Sequence, residues 1–245
     1  MEGGTRPARP DETPEHPGAP MDLALFVKAF AALFAIMNPF VALPTFLALT
    51  TGMEVARQRR TGLRVALYSL VLSLVLMLGG SAILSFFGVS VDDFRIAGGI
   101  VLLMIGLGML NGTGSTAHTG TADEQQHHAK VADPSFYPLA FPMIVGPGTI
   151  ATLILLVSGA QGDGQSGGQG TGLSGERAAT YLSVGLAVVA VLVILGVVLY
   201  FAGNIGHFLS QTLRTIMTRL MGMILAAIAV QMITAGAVKV FPGLT

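Results

Sequence analysis

The chain has 245 residues, 52% of them hydrophobic and only 11% charged, with zero formal net charge and a mean hydropathy of +0.72. Soluble domains carry about a quarter charged residues, so a water-soluble globule is excluded, and the balanced charge offers no basic patch for nucleic acid. The lack of cysteine removes disulfide and thiol chemistry, and the lack of tryptophan leaves interfacial anchoring to a few Tyr, Phe, Lys and Arg side chains.

Residues 1–20, rich in Pro, Gly and acid, can bury nothing, and disorder is expected there. No basic start leads into an apolar run with a small-residue cleavage site, so no removable signal peptide is expected. Met21 stands directly before the first apolar run and is expected to be the true start, with the tail an upstream extension. Beyond it, several apolar runs reach about 20 residues, the length that crosses the hydrocarbon core of a bilayer.

The first span is read at about 23–49 and is followed by the basic loop E-V-A-R-Q-R-R-T-G-L-R. The second runs over about 63–87, a short G-V-S-V-D-D turn follows, and the third covers about 94–110. Asp92 and Asp93 at that turn are expected to cap the third helix. A polar segment with His118, His127 and His128 separates the halves, and its spacing lacks the ligand pattern of a zinc site. The fourth span lies at about 136–157, a Gly/Gln/Ser linker follows, and the fifth and sixth cover about 178–201 and 220–240. The reading is an all-α membrane protein, one six-helix domain over 21–245 with polar loops at 111–135 and 159–176.

Two spans are interrupted. In F-A-I-M-N-P-F-V-A-L-P-T-F, Pro39 and Pro44 each remove a backbone donor and clash with the carbonyl four residues back, so the first helix must kink or break beside Asn38. The fourth span carries Pro138, Pro142 and Gly146-Pro147-Gly148. Setting 23–110 on 136–240 places Asn38-Pro39 on Gly146-Pro147, Arg64-Val-Ala-Leu-Tyr68 on Arg177-Ala-Ala-Thr-Tyr181, and Arg95-Ile-Ala-Gly98 on Arg219-Leu-Met-Gly222. The offsets are 108, 113 and 124, growing only through loops. An odd number of spans per repeat forces the halves into opposite orientations, the inverted-repeat plan of many secondary transporters, whose sites lie at paired broken helices.

Arg57, Arg59, Arg60, Arg64, Lys130, Arg214 and Arg219 fall on one face, against Arg95, Arg177 and Lys239, with Arg6 and Arg9 of the tail, on the other. Lys and Arg favour the inside, so both termini are expected outside.

N-P-F-V-A-L-P-T-F-L-A-L-T, P-M-I-V-G-P-G-T-I-A-T, F-R-I-A-G-G at the third span and A-A-I-A-V-Q at the sixth together resemble the MarC family of integral membrane proteins, nearly throughout from Met21. The resemblance implies a six-span bacterial inner-membrane protein grouped with LysE-type exporters of amino acids and small solutes. It supplies no substrate, and the acidic tail and the Gly/Gln linker depart from the pattern in connecting regions only.

The substrate-site candidates are Asn38, Pro39, Pro44, Gly146, Pro147, Gly148 and Gln231, with Arg95 and Arg219 as candidate gates. Asn38 offers two donors and an acceptor at mid-membrane, for a solute or for carbonyls freed by Pro39 and a neighbouring helix. Gly146-Pro147-Gly148 opens a half-helix whose dipole favours an anionic group, or its glycines serve close packing. Gln231 fits a pathway or a helix–helix hydrogen bond. Arg95 and Arg219, like Lys28, also fit interfacial snorkelling. No Asp or Glu lies deep in a span and His207 sits near a span end, so proton coupling is unsupported. Gly164-Gln165-Ser166-Gly167 spells a G-x-S-G, but in a polar linker with no mid-membrane histidine to activate the serine, so no enzyme is expected. The function expected is transport, with the resemblance favouring export, of an amino-acid-like or carboxylate-bearing solute held by helix ends, without cofactor or metal. The alternative is a non-transporting scaffold or envelope-stress component. Gly98, Gly99 and Gly106 would permit a homo-oligomer.

Overall fold

The computed structural model describes residues 21–112, 133–162, 175–208 and 210–241. The tail 1–20, the segment with His118, His127, His128 and Lys130, Gly164-Gln165-Ser166-Gly167 of the linker, and the His207 side chain lie outside what it describes.

Asp22 opens the first span, its carboxylate accepting from the Leu25 N–H at 3.0 Å, a side-chain cap for an otherwise orphaned donor. Helix α1 covers Leu23–Met37 and α2 covers Pro39–Leu49, with Pro39 at a first turn that has no use for its missing N–H. Together they run on as a single span, Leu23–Leu49. The 33-residue α3, Val55–Phe87, starts two turns before the expected span and ends on Gly88 at φ +67°, the left-handed stop that glycine takes without cost. In α4, Val91–Asn111, the cap is Ser90 and not the aspartates: its hydroxyl accepts from the Asp93 N–H at 3.1 Å. Asp92 and Asp93 occupy the first turn instead, where they complement the helix dipole.

The fourth span is in two pieces. The irregular α5, Ser135–Ile144, contains extended backbone at Tyr137 and Phe141, because a residue before proline is excluded from helical conformation. After a 60° bend, α6 covers Pro147–Gly162. Helix α7 is Gly175–Tyr200, the short α8 is Ala202–Phe208, and α9 is Gln211–Val240. Five runs are long and apolar enough to cross a membrane, and the bent pair counted as one span makes six.

Between the halves, α1 packs on α7 as α5 and α6 pack on α3, and α4 packs on α6 as α9 packs on α1 and α2. Helices α3 and α7, and α4 and α9, pair with each other. Exchanging the halves leaves this set of span pairs unchanged, the arrangement that two inverted repeats would give. The most apolar windows of the first and fifth spans are 56% and 50% buried, against 22% for α3 and α9, so the former are central and the latter peripheral. Leu67, Val71, Val75 and Leu78 form an exposed stripe on α3 at the 3–4 residue spacing of one helix face. With lipid as the solvent, such a stripe meets its own kind.

The α4–α9 seam is set by small residues. A Cβ added at Gly106 would lie 2.9 Å from the Gly222 carbonyl oxygen, and one at Gly222 would lie 2.9 Å from that of Gly106. Gly98 meets Ala151 and Gly99 meets Ile233 and the Ala229 backbone. The glycines read from sequence as a possible oligomer face are therefore consumed inside the chain.

Arg64 at the start of α3 donates to Asp133 ahead of α5 at 2.8 Å. The Ser135 hydroxyl, with help from Arg64, holds the Asp133 carboxyl below its ordinary value of 3.8. A depressed folded-state pKa contributes stability that is present above the unfolded value and lost as pH falls through the folded one. Asp133→Asn should therefore destabilise the protein at pH 7, by at most about 1 kcal/mol since both groups are exposed. Thermal melts should show that gap closing in acid below the ordinary value. At the seam, Gly222→Ala should lower stability by about 1–3 kcal/mol because backbone must move. Gly79→Ala, where an added Cβ meets nothing within 4 Å, should leave it unchanged or raise it, as the same denaturation experiment would show.

Candidate functional site

Asn38 is the hinge of the first break. Its backbone, at φ +26° and ψ 94°, is outside the range most side chains adopt, and asparagine is among the few that tolerate positive φ. Its N–H donates to the Phe34 carbonyl at 3.1 Å and so closes α1. Its own carbonyl accepts from the Val41 and Ala42 N–H groups at 3.1 Å, and its side-chain oxygen accepts from the Phe40 N–H at 3.0 Å. One residue thus ends one helix and begins the next.

The cap also fixes the side chain's other end. A backbone N–H can only donate, so Oδ1 must face Phe40 and Nδ2 must point away from it. Asn38 is 1% exposed, and Nδ2 has no hydrogen-bond partner among the described residues. A buried amide donor left unmade costs about 1–3 kcal/mol, unusual enough to need an explanation.

The explanation lies in a cavity of about 360 Å³ that Asn38 lines. From α2 come Phe40, Val41, Pro44 and Thr45, and from the end of α4 come Ile105, Met109 and Gly112. The first turns of α9 supply Gln211, Arg214, Thr215, Thr218 and Arg219. Pro44 has no N–H to give the Phe40 carbonyl, so α2 presents loosened backbone to the same space. Among the described residues, no Asp or Glu is in the wall.

The second break does not reach this cavity. Gly146 and Gly148 are buried and Pro147 is exposed, and none of the three is in the wall. The loose ends at this break are tied internally: Val145 N–H donates to Ala140 at 2.9 Å and the Thr149 hydroxyl to the Ile144 carbonyl at 2.8 Å. A Cβ at Gly148 would come within 2.8 Å of Leu102, 3.2 Å of Ile105 and 3.6 Å of Ile36. Those three side chains belong to one buried apolar cluster. The two breaks are close neighbours, then, with a hydrophobic partition between them.

The two candidate gates differ. Arg219 is exposed, lines the cavity, and has no ion pair among the described residues. Arg95 donates to Asp92 one turn back at 2.8 Å and is largely covered. Gln231 is exposed on α9, away from the cavity. Sequence reading missed Gln211, Arg214, Thr215 and Thr218. Their spacing of three, four and seven residues marks one helix face, but a span read from Leu220 left them in a loop. Among the described residues, no group of three or more His, Asp or Glu is placed to hold a metal.

A family model described as MarC family integral membrane protein matches residues 23–241. The chain belongs to the MarC family. It is 33% identical to UPF0056 membrane protein YvbG of Bacillus subtilis over 225 residues, covering 92% of this chain and all of that one. It is 33% identical to a UPF0056 membrane protein of Methanocaldococcus jannaschii, covering 88% of this chain and 97% of the relative. UPF0056 membrane protein YhcE of Escherichia coli is 29% identical, over 91% and 96% of the two chains. No solved structure matches. Membership makes this an integral, multi-pass membrane protein, and the relatives' names state no activity.

The dual cap at Asn38 predicts a graded response in this MarC protein. Asn38→Ala loses the Phe40 cap, for about 1 kcal/mol, and adds backbone strain of about 1–3 kcal/mol. Asn38→Gly relieves the strain and should be the milder change. Thermal denaturation in detergent should rank wild type above Gly above Ala, and equal melting for all three would show that the cap is energetically idle.

Proposed function

We propose that this MarC protein is an inner-membrane transporter of a small polar solute, amino-acid-like or carboxylate-bearing, working in the export direction. The observation that carries the reading is the unpartnered Nδ2 of Asn38, buried at a break in a membrane span and lining a cavity. Irregular backbone at membrane depth is tolerated where it lines a wet space or is buried in protein. A structural protein would have no reason to keep a donor unmade there. The exchange-symmetric packing of the spans supports alternating access by rocking of one repeat against the other. In this state the cavity lies on the Arg219 side, and the Ile36–Leu102–Ile105 partition closes the way to the second break.

The test compares metabolites in medium and cells for strains expressing wild type or Asn38→Gly at equal membrane levels. A solute enriched outside with wild type and not with the variant is expected. Identical profiles for both strains and a null strain across a broad panel would remove the export reading. For topology, both termini are assigned outside and the Arg57–Arg64 face inside. The cysteine-free chain makes labelling direct. Val89→Cys should react with an impermeant thiol reagent in intact cells, and Thr51→Cys only after permeabilisation. The reverse pattern would invert the assignment.

A further inference from the structure

We propose that the groove between α3 and α7 is an anionic-phospholipid site, with an acyl chain lying along it and the headgroup phosphate held by Arg59 and Arg60. The groove has a volume of about 370 Å³ and shares no residue with the Asn38 cavity. Its floor is formed by Leu192 and Gly196, both buried. Leu63 and Leu67 make one rim and Val193 and Val197 the other, all of them exposed. Apart from Tyr200 at one end, the lining is wholly apolar.

Three observations select the occupant. The first is reach. On α7 the lining extends from Val189 to Tyr200, about 16 Å of helix rise. That is about half of a 30 Å hydrocarbon core, the depth of one leaflet and so the course of a single acyl chain. The second is charge. The α3 lining, Leu63, Ala66, Leu67 and Leu70, recurs at the spacing of one helix face, and Arg59 and Arg60 continue that face one turn earlier. Arg59 lies over the Tyr200 ring with its Cζ 5.0 Å from the centroid, so a cation–π contact holds the guanidinium at the polar end of the groove. A guanidinium stacked through its face keeps its in-plane N–H groups for the oxygens of a phosphate. Arg60 beside it is exposed, and arginines clustered at a membrane surface draw anionic lipid.

The third observation favours a lipid chain over the helix of a second copy. Helices associate in a bilayer through small residues that let backbones approach. The small residue here is already used, since a Cβ at Gly196 would lie 3.2 Å from that of Ala66. The branched rims hold a second helix off the floor, whereas a flexible chain follows the trough.

The test uses the full chain, purified in a glycoside detergent and stripped of lipid. Native mass spectrometry then measures rebinding of phosphatidylglycerol, of phosphatidylcholine with the same chains, and of glycerol phosphate as the headgroup alone. Phosphatidylglycerol should bind saturably and several times more tightly than phosphatidylcholine, and glycerol phosphate should neither bind nor displace it. Arg59→Gln combined with Arg60→Gln should weaken phosphatidylglycerol about tenfold and bring it to the level of phosphatidylcholine. Arg60→Gln alone, at an exposed position, should lose about threefold with unchanged melting. Val193→Phe fills the trough from a position 58% exposed and should lose both lipids, again with unchanged melting. Leu78→Phe, on the exposed stripe of α3 outside the groove, should bind as wild type does.

Equal binding of the two lipids, indifferent to the arginine variants, would overturn the proposal, and so would lipid binding unchanged by Val193→Phe. A two-copy mass that Val193→Phe reduces to one copy would seat a second chain in the groove and overturn it as well.

Discussion

Hydrocarbon offers a backbone no hydrogen-bond partner, so a span that stops being helical must complete its polar groups from its own residues or face water. Asn38 meets this demand three times over, through its N–H, its carbonyl and its side-chain oxygen. The rest of the site depends on that arrangement. Because Oδ1 is committed to the Phe40 N–H, the amide's donor end is left for the cavity. Because asparagine accepts the positive φ of the break, α1 and α2 run on as one span and α2 can carry Pro44 and Thr45 into the same wall. The second break solves the same problem differently, with prolines, a 60° bend and the Thr149 hydroxyl.

Close approach of small residues governs how the halves meet. Gly106 and Gly222 put backbone against backbone where α4 crosses α9, and Gly148 lets Leu102, Ile105 and Ile36 pack into the second break. In a bilayer, helix association draws on van der Waals fit more than on expulsion of water, so a single methyl at such a point is felt. The same tight seam brings the start of α9, with Arg214 and Arg219, beside the end of α4 and the start of α2. The cavity is a by-product of that crossing: where the seam ends and the helices diverge, polar residues of three elements face one another.

How much of this was legible in the residues differs from one feature to the next. The membrane-length apolar runs and the two breaks were readable because apolar run length and proline chemistry are local. Helix ends were read less well: α9 begins at Gln211 and not at Leu220, because a helix that emerges from the bilayer continues in polar sequence and hydropathy cannot see it. That error hid Gln211, Arg214, Thr215 and Thr218. Ser90, a better cap than the aspartates beside it, was passed over because all three residues suit a helix start. Gln231 was read as pathway from its depth alone, whereas its helix face points away from the cavity.

By itself, the order of residues determined that the chain lives in a membrane, that its apolar runs are long enough for six spans, that two of them are broken and that Asn38 stands at one of the breaks. Each of these follows from interactions within a few residues, or from the single contrast between hydrocarbon and water. Only the tertiary structure decided what the breaks face. It put Asn38 in a cavity with two arginines, separated Gly146-Pro147-Gly148 from that cavity by a layer of Ile36, Leu102 and Ile105, and spent the glycines of α4 inside the chain. The physical reason is that a helix face is chosen by what it packs against. That choice is settled between residues tens to more than a hundred positions apart, where local pattern carries no information.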